Sequence, residues 1–456
     1  MKIYEILNYF GFESADQREA KTLSLNSETV NSDTVFIALT GTKNRGADYV
    51  PTALKKGALI CLSDTAVKMA FHVPDLKRRL TAFALWFYGH PERSLRLIGV
   101  TGTNGKSTTA YLVHMGLEAL GRESLLITTT PGLPQSVLTA NTTPYGTEIA
   151  AIMAGAVRAG KKFVVMECSS IGIAEYKLSG LEFEVVLLTN LKRDHLDYHR
   201  TLRRYHQVKI DFAAHQADRV ITFADSARRL KIRRQVAPAK LHFVDPRAIE
   251  IDRKTTKLCF KYDGKIFETQ FLFDYNARNF VLAYECLRAL FDDIDAAVFK
   301  KIAPIRGRAE IVSNNPLVII DYAHTASAFR TFIKAVRRTF PTQKLIIVFG
   351  AGGEREKEKR RDYGRAARHA AYLPIVTSDN SRHESFDQIA GMIVGKDKEK
   401  FLVVPDRKMA IKWACSLLDS DYALLLIGKG PETVTVENDQ TSVLDEREEV
   451  KKWLTN

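Results

Sequence analysis

The stretch LRLIGVTGTNGKSTTAYLVHMGLEAL, residues 95–120, decides how the chain is read. A short apolar segment passes through a glycine-bearing turn into residues whose Val113, Leu117 and Leu120 recur at helical spacing. Strand, glycine loop and helix in that order make a phosphate cradle. Glycines let the backbone approach an anion, and the first helical turn offers free N–H groups and the positive end of its dipole. Lys106 would then reach the terminal phosphates of a nucleotide, and Ser107 would offer its hydroxyl to magnesium. The spacing is unusual. The common loop has glycine, four residues, then Gly-Lys-Ser/Thr, and counting back from Gly105 puts Val100 where the first glycine belongs.

Outward from this loop, strand and helix patterns alternate along all 456 residues, with no repeat and no low-complexity linker. DTVFIAL (33–39) and GALICLSD (57–64) belong to a small first unit that ends near FYGHPERSLR. A second unit carries the apolar runs LRLIGV, KFVVMEC and FEVVLLTN and ends near IRGRAEIV. A third has LVIIDYAHT, KLIIVFG, LPIVTSD, FLVVPD and YALLLIGKG, separated by helical stretches such as SAFRTFIKAVRRTF. Short apolar runs between helices predict an α/β chain with mostly parallel sheets covered on both faces. Boundaries are expected near 1–88, 89–308 and 309–456.

Composition limits the function. With 45% hydrophobic and 26% charged residues, no run of membrane-spanning length and no basic-then-apolar leader at MKIYEILNYFGFES, a cytoplasmic globular protein is expected. Cys61, Cys168, Cys259, Cys286 and Cys415 lie far apart without a C-x-x-C pair, so neither a zinc site nor a disulfide framework is expected. The net charge of +14 suits polyanionic partners. KIRRQ and EREKEKRR, however, read as solvated helix faces, and no ladder of aromatic and basic residues marks a nucleic-acid binder. Neither nucleic acid nor membrane is expected as a partner, and nothing in the pattern calls for an obligate oligomer, so a monomer is expected.

Two further strands end in residues suited to a metal. Glu167 closes VVMECSS, and Asp194 and His195 follow FEVVLLTN one strand later. Side chains at the carboxyl edge of a parallel sheet face the ligand crevice, so Glu167, His195 and Ser107 are candidate magnesium ligands. In TLRRYHQVKIDFAAH, Leu202, Tyr205, Lys209 and Phe212 share one helical stripe, which sets a lysine among apolar residues. Such a lysine is ordinarily a snorkelling side chain.

GVTGTNGKS (99–107) also fits, at every fixed position, the loop G-x-x-G-T-x-G-K-S/T of the Mur ligases, ATP-dependent enzymes that extend the peptidoglycan stem peptide. The chain resembles this family over its whole length, most closely the MurE type, which adds the third residue to UDP-N-acetylmuramoyl-L-alanyl-D-glutamate. The resemblance implies three domains: a UDP-binding domain, a central P-loop ATPase domain and a C-terminal Rossmann-like domain that binds the amino acid. It implies ATP contacts from Gly102, Thr103, Asn104, Gly105, Lys106, Ser107 and Thr108, adenine contact from Asn279, and contacts from Arg308, Asp321 and His324 where the last two domains close. Lys106, Glu167, His195 and Lys209 take catalytic parts by the same resemblance. Lys209 matches the lysine that carbon dioxide carbamylates, which would turn a misplaced cation into an anion able to help position magnesium.

On the substrate side the motifs depart from the family. D-N-P-R, the signature for meso-diaminopimelate, reads DNSR here, keeping Asp379, Asn380 and Arg382. Arg382 suits a distal carboxylate that lysine and ornithine lack, and Arg360 matches another family arginine near the amino-acid carboxylate. G-K-G-H-E reads GKGPE, keeping Gly428 and Glu432, the latter suited to the distal amine. SSIGIAEYK puts Ile171, Glu175 and Lys177 where His, Gln and Arg are usual, and NSE (26–28) replaces D-S-R. Ser27, Thr142, Thr143 and Ser169 remain as expected substrate contacts. An ATP-dependent ligase that adds meso-diaminopimelate to the muramoyl dipeptide is expected, through an acyl phosphate. A paralogue using lysine, ornithine or another carboxylate acceptor is the alternative that these departures support.

Overall fold

The computed structural model describes residues 1–41, 44–226, 228–253 and 257–454. Three regions carry parallel sheets, and their strands are the short apolar runs picked out above. In the first, Thr22–Ser24, Thr34–Ala38, Ile60–Ser63 and Phe71–His72 pair in chain order, all parallel. Helix Leu76–Phe87 then leaves this sheet and lies against helix Gly146–Arg158 of the middle region. The contact is close: a Cβ on Gly146 would sit 2.5 Å from the Thr81 Cα. Leu80, Phe83, Ile149, Met153 and Val164 consequently share one core.

The middle sheet has seven parallel strands in the order Leu241–Val244, Ala217–Phe223, Phe183–Leu188, Arg96–Thr101, Phe163–Glu167, Ser124–Thr128 and Ser136–Leu138. Arg96–Thr101 is therefore central, flanked by the strands that end in Glu167 and lead to His195. Connections leave it in opposite directions at this point, which is where open α/β sheets bind ligands. Strand interiors are buried on both faces, as their mostly apolar runs require, with Arg96 and Glu184 pairing where two of the strands begin. Helix Lys106–Ala119 follows the loop and packs on helix Asn276–Leu290, where Gly116 admits Leu287.

An antiparallel three-stranded sheet, Glu250–Asp252, Cys259–Tyr262 and Lys265–Glu268, was not expected. It covers the helix Asn276–Leu290 with Phe260 and Phe267, whose rings stack at 4.6 Å. The last region has six strands in the order Glu310–Asn314, Leu317–Asp321, Tyr422–Ile427, Lys344–Phe349, Leu373–Val376 and Leu402–Val403, with only the first antiparallel. Apolar clusters on both faces of this sheet give it helices on each side. The hairpin Val434–Val443 stands beyond it. All five cysteines are free. No helix among the described residues is long and apolar enough to cross a membrane.

Candidate active site

The carboxyl edges of the middle and last sheets face one another across a cleft of about 680 Å3. Its floor is the loop after Arg96–Thr101. Gly102 and Gly105 take φ of 140° and 85°, where an L side chain is strained, and a Cβ on Gly102 would stand 2.0 Å from Thr189 Oγ1. The loop thus needs Gly102 to lie against the neighbouring strand end and Gly105 to lie against Asn279 of helix Asn276–Leu290. Lys106 folds back over it, its Nζ donating to Gly102 O at 3.3 Å and Thr103 O at 3.0 Å. Burial lowers the pKa of this ammonium, while the nearby Glu167 and Asp194 carboxylates oppose the shift.

Glu167 is buried and receives hydrogen bonds from Ser107 Oγ at 2.9 Å and Thr128 Oγ1 at 3.3 Å. Arg308 reaches in from the other side, its Nη2 donating to Ser107 Oγ at 2.9 Å while its guanidinium lies over the Tyr322 ring. His195 adopts a left-handed φ of 52° and places Nε2 3.3 Å from Asp194. Hydroxyl and carboxylate oxygens in this arrangement suit a hard divalent cation. No group of three or more His, Cys, Asp or Glu side chains converges as a metal cage among the described residues. A cation here would complete its shell with phosphate oxygens and water, as Mg2+ does.

The opposite wall comes from the last region. Asp321 accepts from the N–H groups of Ala309 at 2.7 Å and Ala323 at 2.8 Å, which orders the turns around the cleft. Tyr322 OH and Asn380 Nδ2 each donate to Glu432 at 2.9 Å, so the carboxylate is aimed before a ligand arrives. Arg382 has a left-handed φ of 55°, and its backbone is tied to the Val434–Val443 hairpin through Val436 O and Asn438 N–H. The hairpin thereby holds this turn in place. Arg382 Nη1 donates to Gly353 O at 2.7 Å, and neither Arg382 nor Arg355 beside it has a carboxylate partner among the described residues.

Burial pushes Asp321 up to about 6 and holds His324 down to about 4. A raised carboxylate adds stability that is full below its ordinary 3.8 and lost as pH rises through about 6. A depressed imidazole adds stability that is full above 6.5 and lost as pH falls through about 4. Between pH 6.5 and 4.5, His324→Gln is accordingly expected to lose less stability than wild type in urea titrations, and Asp321→Asn to lose more. Parallel behaviour of all three proteins would count against burial as the cause.

Most of the expected site residues line this cleft: Thr103 to Thr108, Thr142, Glu167, Ser169, His195, Asn279, Arg308, Asp321, His324, Asp379, Asn380, Arg382, Gly428 and Glu432. Seven do not. Gly102 opens the loop against Thr189, and Thr143 sits just behind Ser169, the two hydroxyls 3.0 Å apart. Lys177 is buried with Nζ 3.3 Å from Thr143 O and over the Tyr145 ring. Glu175 pairs with Lys77 at 3.3 Å and accepts from Tyr198 OH. Ser27 belongs to a short helical turn in the first region, and Lys209 is buried against Tyr205. Arg360 departs furthest from expectation. It is fully buried in a bidentate pair with Glu384, at 2.5 and 2.7 Å, because its helix turns that face inward. The arginine of EREKEKRR that reaches the cleft is Arg355, joined by Lys359.

Asn104 shows a role that sequence reasoning missed. Its backbone carbonyl is held by Thr189 Oγ1 at 2.7 Å and Asn190 Nδ2 at 2.9 Å. Its side chain turns away from the loop, accepting from Thr325 Oγ1 at 3.0 Å and donating to Ser327 Oγ at 2.9 Å. Thr325 caps helix Ala326–Thr339, so this amide ties the loop to the last region. Asn104→Ala is expected to lower kcat about tenfold through two lost hydrogen bonds, and Asn104→Ala with Ser327→Ala should be less than additive. Strict additivity would show that the tie does not matter to turnover.

Two family models match the chain: "Mur ligase middle domain" over residues 100–287 and "Mur ligase, glutamate ligase domain" over 307–430. A UDP-N-acetylmuramoyl-L-alanyl-D-glutamate--2,6-diaminopimelate ligase of Trichormus variabilis is 31% identical over 96% of this chain and 94% of its own length. A solved structure of a ligase with that name superposes with a TM-score of 0.63 at 26% identity, covering 100% of this chain and 99% of that one. The MurF ligase of Thermotoga maritima, solved with ADP, shares the fold at a TM-score of 0.69 and 19% identity over 95% and 97% of the two chains. With likeness running from end to end and both family models on the regions that build the cleft, the chain belongs to the Mur ligase family.

Proposed function

We propose that the protein joins meso-diaminopimelate to the D-glutamate side-chain carboxylate of UDP-N-acetylmuramoyl-L-Ala-D-Glu at the expense of ATP, in the cytoplasm. The observation that carries this reading is the opposition of two walls. A phosphate loop with Ser107, Glu167 and His195 faces Arg355, Arg382 and a carboxylate, Glu432, held by Tyr322 and Asn380. Named relatives with this activity at about a third identity support it. The division at 1–88, 89–308 and 309–456 belongs to the same proposal, as does action as a monomer.

A carboxylate is a poor acylating agent, so the γ-phosphoryl of ATP passes first to the acceptor carboxylate, and the incoming amine then attacks the acyl phosphate and displaces phosphate. Lys106 and Arg308 neutralise charge on the transferring group, and Asn279, Asp321 and His324 orient the nucleotide. Ser107, Glu167 and His195 would hold Mg2+, which when bound neutralises phosphate charge. Thr142, Thr143, Ser169, Glu175, Lys177 and, from the first region, Ser27 hold the acceptor. Arg382, Asp379, Asn380, Gly428 and Glu432 hold the amino acid. Lys209 carries a carbamate in this reading. Closure of the walls keeps water from the acyl phosphate.

One observation favours a second reading, a ligase with a different acceptor. Glu175 brings a carboxylate, shared by Lys77 and Tyr198, to the acceptor side. The test is phosphate release and product mass with MgATP and the muramoyl dipeptide, comparing meso-diaminopimelate, L-lysine, L-ornithine and no amine. Turnover that requires the dipeptide and is highest with meso-diaminopimelate is expected. Release independent of every amine would overturn the reading, and preference for another amine or acceptor would establish the second.

A further inference from the structure

Lys209 Nζ and His199 Nδ1 are two buried polar atoms without hydrogen-bond partners among the described residues, and both side chains pack on one aromatic ring. Lys209 Nζ, on helix Leu202–Gln216, lies 3.2 Å from the Tyr205 ring centroid and makes no hydrogen bond. His199 ends the preceding turn Leu196–His199, and its imidazole packs on the same Tyr205 ring with centroids 5.3 Å apart. Its Nε2 lies 3.0 Å from Ser170 Oγ, while its Nδ1 has no partner. An orphaned buried donor or acceptor is costly, and native structures rarely keep two together without a use for them.

Neither group satisfies the other as they stand. Addition of carbon dioxide to Lys209 changes this. The neutral amine attacks the carbon, an N–C bond forms, one proton leaves to water, and the product –NH–COO− brings two acceptor oxygens to the place where Nζ ended. His199 supplies the matching donor. Burial, with Lys209, His195 and Arg204 nearby, holds the His199 imidazole down to about 4 against a smaller opposing effect of Asp197, and this favours the neutral ring. When the Ser170 hydroxyl donates to Nε2, the ring proton must sit on Nδ1. The new anion turns the repulsion between Lys209 and Lys106 into attraction and the attraction to Asp194 into repulsion.

We infer that His199 is the positioning residue of the Lys209 carbamate: Ser170 sets its tautomer and Nδ1–H donates to a carbamate oxygen. This rests on the reading of Lys209 as a carbamylated residue. Every other contact in the inference belongs to the chain as it stands, so the modification itself can be measured without turnover.

The experiment is titration of the full-length protein with 13C-bicarbonate, following the carbamate resonance by NMR in wild type, Lys209→Ala, His199→Ala and His199→Asn. Asparagine places its Nδ2 where the histidine has Nδ1. The expected result is a resonance absent from Lys209→Ala, half-saturated in His199→Ala only at roughly ten- to hundredfold more bicarbonate, as loss of a hydrogen bond to a charge implies, and restored close to wild type in His199→Asn. Equal midpoints for wild type and His199→Ala would overturn the role of His199 while leaving carbamylation intact. Absence of the resonance from wild type would overturn both, whatever the ligase assay shows. Should His199→Ala fail to fold, 15N shifts of the wild-type imidazole decide: saturating bicarbonate must leave His199 protonated at Nδ1, and an unprotonated Nδ1 refutes the inference.

Discussion

Lys106→Met is expected to lower kcat at least about a thousandfold without unfolding the protein. In phosphoryl transfer the protein contributes positioning and neutralisation of charge on the moving group, and cationic side chains on that group are worth about three to five orders of magnitude. Lys106 is placed for this. Its ammonium is fixed over the loop by Gly102 O and Thr103 O, inside a cleft where burial already lowers its pKa. That burial opposes folding, because an ion taken from water recovers its solvation only in part. Methionine keeps the length of the stem and deletes the charge, so the expected pattern is a collapse in turnover with a thermal midpoint no lower than wild type. Single-turnover formation of ADP with the muramoyl dipeptide and amine present would measure it. A loss below tenfold would mean that Arg308 or the metal carries the charge alone.

How much of this was legible in the sequence depends on what each residue answers to. The loop was readable because an unbroken apolar run, two glycines and a helical stripe all follow from local rules. Glu167 and His195 were readable because a parallel sheet sends the residues at its strand ends to one edge. The stripe placed Lys209 beside Tyr205 and Phe212, but a lysine there reads as a snorkelling side chain, and only the assembled fold shows the ammonium itself buried. The antiparallel sheet at 250–268 escaped, although Asp263-Gly264, with φ of 49° and 75°, is the turn that a two-residue hairpin demands. Arg360 and Arg355 could not be told apart from within EREKEKRR. Which arginine is buried depends on Glu384, 24 residues on, and only the assembled fold brings that carboxylate near. The tie from Asn104 to Thr325 and Ser327 was likewise out of reach, because it spans more than two hundred residues.

The choice of amino acid is where the wall opposite Lys106 makes its sharpest prediction. Arg382→Ala is expected to reduce kcat/KM for meso-diaminopimelate at least about a hundredfold, while changing that for L-lysine by less than about threefold. Arg382 is half-buried and Arg355 is exposed beside it. Burial and then the Arg355 guanidinium lower the pKa of Arg382, while Asp379, Glu354 and Glu432 oppose the shift, and neither arginine has a carboxylate within ion-pair distance among the described residues. Removing the partner of a charge-assisted, potentially bidentate contact costs about 2–5 kcal/mol. Lysine has no distal carboxylate to lose, so it registers only the change in shape. Arg382→Lys separates charge from geometry, since an ammonium keeps the charge and gives up the planar fork. It should recover a minor part of the loss. The left-handed turn at Arg382 is held by backbone bonds to Val436 and Asn438 rather than by its side chain, so the substitution leaves the turn in place. Equal losses for both amines would show that Arg382 meets a group the two substrates share and does not read the distal carboxylate.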